Sequence, residues 1–194
     1  MSLKDNIIRE SMKQFSSKGY LNTSITDIIN AADTSKGGFY NHFQSKEELF
    51  HDVLAEAQSI WREKTLFGLR EIDGPVEKIK KLLENYRDRY LIDDINFPGG
   101  CIFVTFSIEL DDQRPHLMKD VNSGFAGLKG MLKRFLEEGK AQGDLRNDVN
   151  TNRATELIFS GMIGTSVLYG VDKSATSLAR SINALIEYLD NLAA

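Results

Sequence analysis

The chain has 194 residues, 41% hydrophobic and 27% charged, with a net charge of −4; this is a globular composition, neither disordered nor coated in DNA-binding charge. Its single cysteine excludes an internal disulfide and, with only three histidines, a cysteine-rich zinc site. No basic-then-apolar leader opens the sequence, and the longest strongly apolar run, Cys101 to Phe106, is too short to span a bilayer, so a cytoplasmic protein with no membrane partner is expected.

Apolar residues recur at helical spacing almost throughout. Ile7, Ile8, Met12 and Phe15 form a first stripe, stopped by Gly19. Thr23 or Ser24 can cap a second helix whose apolar face is Ile25, Ile28, Ile29 and Ala32. A short polar break, Asp33-Thr34-Ser35, leads into a third helix from Lys36 to about Phe43. Ser45 opens a long fourth helix, with Ser45-x-x-Glu48 reading as a capping box. The only three prolines all lie beyond residue 70, and Asp73-Gly74-Pro75 is a helix start followed by Val76, Ile79, Leu82, Leu83, Tyr86 and Tyr90 at helical spacing. Phe97-Pro98-Gly99-Gly100 breaks the chain before the apolar stretch 101–110. Asp111-Asp112, with Pro115, begins a helix running towards Gly139. Gln142-Gly143-Asp144-Leu145 is a turn, and two last helices are expected over about 150–171 and 174–192. The expected fold is all-α, a three-helix head over 1–46 joined through a long helix to a helical body over 47–194.

Residues 1–51 balance six basic residues (Lys4, Arg9, Lys13, Lys18, Lys36, Lys46) against six acidic ones, so the rest carries the whole −4. From Thr34 to Lys46 there are Lys36, His42 and Lys46 and no acid, a focused positive patch on an acidic protein. Two short helices with a tight turn, the second polar and basic, describe a helix-turn-helix. Thr34 and Ser35 place hydroxyls at the start of the second helix, where backbone N–H groups favour a phosphate. Lys36 can reach a phosphate or a guanine edge, and Asn41 a base edge. Gly37 and Gly38 have no side chain to hold the helix off the bases, so Gly38→Leu should block groove entry without disturbing the fold. Tyr40 and His42 can donate to phosphates, and Lys46 is expected to face the same groove wall.

These residues form several blocks in fixed register. Phe15-x-x-Lys18-Gly19-Tyr20, Thr23 to Ile28, Ala31-Ala32, Thr34 to Phe43 and Ser45 to Leu49 together resemble the TetR (tetracycline-repressor) family over about residues 7–54. Asp33 departs from the family's usual glycine, and the turn there needs a left-handed residue, a conformation Asp tolerates. The resemblance implies about nine helices, a homodimer on a roughly palindromic double-stranded operator, and release by a small-molecule effector. By analogy the DNA contacts fall on Ser24, Thr26, Thr34, Ser35, Lys36, Gly37, Gly38, Tyr40, Asn41, His42 and Lys46. The alternative within this reading is a body that docks a protein partner in place of a small molecule.

In the body, candidates to line an effector pocket are Trp61, Tyr86, Tyr90, Phe103, Thr105, Phe106, Glu109 and Phe125, with Tyr86, Tyr90, Thr105 and Glu109 as its polar groups. The last two helices carry heptad-like seams, and Ile158, Gly161, Thr165, Leu168, Leu178, Ile182, Leu185 and Leu189 are expected at a two-fold interface. Cys101 reads as buried and inert, against a redox sensor or a catalytic pair with His116. Asp111-Asp112 with His116 reads as a helix start, against a metal site. No cofactor, metal or enzymatic activity is expected, since no nucleophile–base pair stands out.

Overall fold

The computed structural model describes residues 2–110 and 112–194, so the expected role of Asp111 in a helix start lies outside the described residues. Among them the chain forms α1 (Leu3–Lys18), α2 (Ile25–Ala31), α3 (Lys36–Tyr40), α4 (Lys46–Thr65), α5 (Pro75–Asn85), α6 (Ile102–Leu110), α7 (Pro115–Gln142), α8 (Thr151–Asp172) and α9 (Ala175–Asp190), and no strand. The all-α expectation holds. It holds because the punctuation is local. Gly19 closes α1 with φ +85°, Pro75 sits in the first turn of α5, and Gly143 takes φ +85° in the turn after α7. Of the two candidate caps for α2, Ser24 is used, accepting from the Asp27 N–H at 3.1 Å, while Thr23 is buried and donates to the Gly19 carbonyl. At α4, Ser45 accepts from the Glu48 N–H, and Glu48 reaches one residue further back, to the Gln44 N–H.

Two compact units divide the chain. The first contains the residues up to Trp61 together with Asp93–Val121; the second contains Arg62–Ile92 and Asn122–Ala194. The head expected over 1–46 is thus the nucleus of a larger unit that includes most of α4, all of α6 and the first turns of α7. The physical reason is aromatic. Phe15, Tyr20, Phe50 and Phe106 close a ring of contacts, with centroids 5.3 Å (Phe15–Tyr20), 5.2 Å (Tyr20–Phe50), 4.9 Å (Phe50–Phe106) and 6.2 Å (Phe106–Phe15) apart. Phe106, expected to line an effector pocket, is fully buried there against Phe15 and Phe50, in the core of the first unit. Ile28, Phe39, Phe43 and Leu49 are buried in the same unit. Crossed histidine–carboxylate pairs join α4 to α7, His51 to Asp120 at 3.3 Å and His116 to Glu47 at 2.9 Å. His116 is therefore engaged with α4, and Cys101 is buried at the start of α6.

In the second unit α5 packs on α9, and α9 on α8. The backbone widens to a π-turn over Tyr86–Tyr90, which stacks the two buried tyrosine rings at 5.5 Å and hydrogen-bonds the Tyr86 hydroxyl to Ser166. Just before it, buried Asn85 donates to the carbonyls of Thr65 at 3.1 Å and Phe67 at 2.7 Å. Asn85→Ala removes a partner from both, and urea unfolding should show a loss of about 1–3 kcal/mol; an unchanged midpoint would mean that water replaces the amide without cost.

The last two helices correct an expectation. Ile158, Thr165, Leu178, Ile182 and Leu189 are buried inside the protomer, and Gly161 admits Leu185, whose methyl would lie 2.6 Å from a Cβ at that position. The seam read as intermolecular is the α8–α9 seam within one chain. Of the eight residues expected at the interface only Leu168 is exposed, at 55%. The exposed apolar stripe of α8 joins Leu168 to Leu157, Val167 and Val171, which were not among the expected residues, beside the open Gly164. By length and composition α8 could cross a bilayer, but its Ile158, Met162 and Tyr169 are buried in the fold.

Candidate nucleic-acid interface

α2 and α3 are held as a rigid corner. The Asn6 side chain on α1 donates to the Ala32 carbonyl at the end of α2, at 2.8 Å. Asp33 then takes φ +47°, the left-handed conformation expected of it, and the Thr34 N–H closes the turn on the Ile29 carbonyl. Ser35 caps α3, accepting from the Gly38 N–H at 3.0 Å. Buried Phe39 anchors α3 from below, packed against Phe43.

With the inner face so fixed, the outer face is determined. Ser24, Thr26, Ser35, Lys36, Gly37, Tyr40, Asn41 and His42 are exposed, while Thr34, Gly38 and Lys46 are half-buried. The side chains of Lys36, Asn41 and His42 make no hydrogen bond or ion pair among the described residues, which leaves their polar groups available to a ligand. The two glycines differ. A Cβ on Gly37 would meet only the Ser35 hydroxyl, at 3.8 Å, whereas one on Gly38 would lie 2.4 Å from the Thr34 hydroxyl. A side chain at Gly38 would need the Thr34 hydroxyl to turn aside, whereas Gly37 is the position open to the outside.

Lys46 also differs from expectation. Its ammonium donates to the carbonyls of Tyr20 at 2.9 Å and Thr23 at 3.0 Å, and lies 4.3 Å from the centre of the Tyr20 ring. Burial lowers its pKa, helped by nearby Arg114 and opposed by Glu109. Two of its three donors are thus spent inside the first unit, so at most one remains for the groove wall it was expected to face. Lys46→Ala should destabilise the unit by about 1–3 kcal/mol. It should also change the salt dependence of DNA binding by less than one phosphate's worth. Urea titration and a salt series of binding isotherms check the two; a full unit of slope lost without destabilisation would restore the free-cation reading.

Glu109, expected among the polar groups of an effector pocket, accepts from the Tyr20 N–H at 2.7 Å and from the Asn22 amide at 3.5 Å. Its carboxylate faces the head, and its assignment to a pocket is corrected. Of the other pocket candidates, Trp61, Phe103 and Thr105 belong to the first unit. Tyr86, Tyr90 and Phe125 belong to the second, where Phe125 meets Phe159 edge-on at 5.6 Å. Sequence reasoning missed Asn6 and Asn85, and it gave Tyr20 no role beyond its place in the motif, because their roles appear only through distant partners.

A capped pair of short helices around a left-handed turn, with a polar outer face on a buried aromatic base, defines a helix-turn-helix DNA-binding protein. Residues 7–53 match the family of bacterial regulatory proteins of the tetR type, and residues 75–185 match the tetracyclin repressor-like C-terminal domain. The chain belongs to the TetR family of transcriptional regulators. It is similar to the HTH-type transcriptional repressor DhaR of a Mycobacterium species, at 24% identity over 96% of this chain and 92% of the relative. A TetR transcriptional regulator from Chloroflexus aurantiacus has the same fold, with a TM-score of 0.90 and 28% identity over 98% of this chain and 96% of its own. AibR, whose structure is a complex with isovaleryl coenzyme A and operator DNA, shares the fold at a TM-score of 0.73 and 15% identity, over 96% of this chain and 97% of its own.

Proposed function

We propose that the protein is a cytoplasmic repressor that binds a roughly palindromic operator as a homodimer and is released by a small-molecule effector. The observation that carries the reading is the outer edge of α3 and the turn that follows it, where Lys36 and Gly37, then Asn41 and His42, stand exposed around buried Phe39. A side-chain-poor helical edge with unspent polar groups fits the major groove. The DNA-contacting set is Ser24, Thr26, Thr34, Ser35, Lys36, Gly37, Tyr40, Asn41 and His42, with the third donor of Lys46 and half-buried Gly38 beside them.

A single head of this size is a poor specific reader, and two heads on a two-fold axis match two half-sites. The second copy is placed on the exposed stripe of α8. Leu157, Leu168 and Val171 are 48%, 55% and 81% exposed, and Gly164 has open space where a side chain would be. Together they make a row of apolar and small residues suited to close helix pairing. Effector binding is supported by AibR, which shares the fold and has both a ligand and operator DNA in its structure. An effector shifts the DNA-bound population only by its difference in affinity for the bound and free states. Candidate effector contacts within the second unit are Tyr86, Tyr90 and Phe125.

The test is fluorescence anisotropy with the duplex upstream of the protein's own gene, followed by a thermal-shift screen of lipophilic compounds. Specific binding at physiological salt and a compound that both stabilises the protein and weakens DNA binding are expected. Indifference to every duplex at low salt would end the reading. A body that only docked a protein would give no stabilising compound.

A further inference from the structure

The corner between α1 and α2 is gripped from α6 and the loop before it. The Glu109 carboxylate accepts from the Tyr20 N–H at 2.7 Å, and it fits only because residue 19 is glycine: a Cβ there would lie 1.7 Å from the carboxylate oxygen. Gly99 lies as tightly against the end of α1, where a Cβ would be 1.8 Å from the Ser16 carbonyl oxygen. Its N–H points at the Ser16 hydroxyl at 3.4 Å. Tyr20 is then held at both ends of its backbone, because its carbonyl receives Lys46 from the first turn of α4. Lys46 also holds the Thr23 carbonyl, directly before the cap of α2. A chain of charge-assisted hydrogen bonds thus runs from α6 through Tyr20 to α4 and to the entry of the helix-turn-helix.

We infer that Glu109 is a positioning residue for DNA reading, acting through Tyr20 and Lys46 to fix the direction in which α2 and α3 leave the head. The inference rests on the head binding an operator. Glu109 itself touches no DNA; it restricts the corner to one orientation, so that both heads of an assembled molecule enter the groove without first paying to order the loop. A bond from a backbone N–H to an ionised carboxylate is among the stronger ones available to do this.

The experiment uses the full-length protein and the duplex that wild-type protein selects from random-sequence DNA. Operator affinity is read by anisotropy and the folded fraction by circular dichroism at the assay temperature. Glu109→Ala is expected to weaken binding by the folded protein about tenfold, the scale of a lost hydrogen bond to a charged group. Glu109→Gln keeps an oxygen for the Tyr20 N–H and should return affinity to within about threefold of wild type, as a neutral acceptor gives part of the bond. Glu109→Ala and Lys46→Met should be less than additive, since both act through Tyr20. The inference is overturned if folded Glu109→Ala binds as wild type, if Glu109→Gln is as weak as Glu109→Ala, or if the two losses simply add. Wild-type protein that selects no duplex brings down the DNA-reading proposal itself.

Discussion

Gly37→Leu is expected to abolish specific operator binding while leaving the protein folded. Outside the helix's own backbone and the neighbouring residues, a Cβ at this position would meet only the Ser35 hydroxyl, at 3.8 Å. That is ordinary van der Waals contact, and leucine favours a helix over glycine by up to about 1 kcal/mol, so the melting temperature should hold or rise. In a major groove the same side chain occupies the volume that a base edge must enter. Affinity should fall to the non-specific level, roughly a thousandfold or more for a specific regulator. Anisotropy on specific and scrambled duplexes, with a thermal melt of the same sample, reads both halves. Retained operator specificity would show that α3 does not enter the groove by this edge.

The second large effect concerns assembly. Leu168 and Val171 are exposed on α8, so replacing both by glutamate costs the single chain little. Across a two-fold axis the same changes would set four carboxylates against apolar surface, and like charges in a desolvated contact repel strongly. The variant is expected to be monomeric by light scattering after size exclusion. Its operator affinity should drop by about two to four orders of magnitude, because each head then binds its half-site alone without the gain from linkage. A variant that stays dimeric would move the interface to another face. A monomer that binds as tightly as wild type would show that one head suffices.

The two effects separate cleanly. Gly37→Leu is expected to be a dimer that cannot read, and the glutamate variant a monomer whose heads can still be placed on DNA one at a time. The substitutions lie in different compact units.

What the sequence alone determined is local. Helix positions followed from apolar periodicity, and their ends from single residues. Gly19 and Gly143 adopt the positive φ that glycine permits, Pro75 opens α5, and Asp33 takes the left-handed turn anticipated from its side chain. The outer edge of α3 was legible for the same reason, since its cap, its aromatic anchor and its exposed residues all fall between Ser35 and Phe43. What only the tertiary structure decided is which surfaces meet. Periodicity marks the apolar face of α8 but carries no information on whether α9 of the same chain or a second copy covers it, and Ile158 and Ile182 proved to be internal. Likewise Lys46, Phe106 and Glu109 read as groove, pocket and pocket, and each found its partner in the first unit: Lys46 and Glu109 at Tyr20, Phe106 between Phe15 and Phe50. Their energies come from pairs 26 to 91 residues apart in the chain, and a local pattern cannot encode a partner that far away.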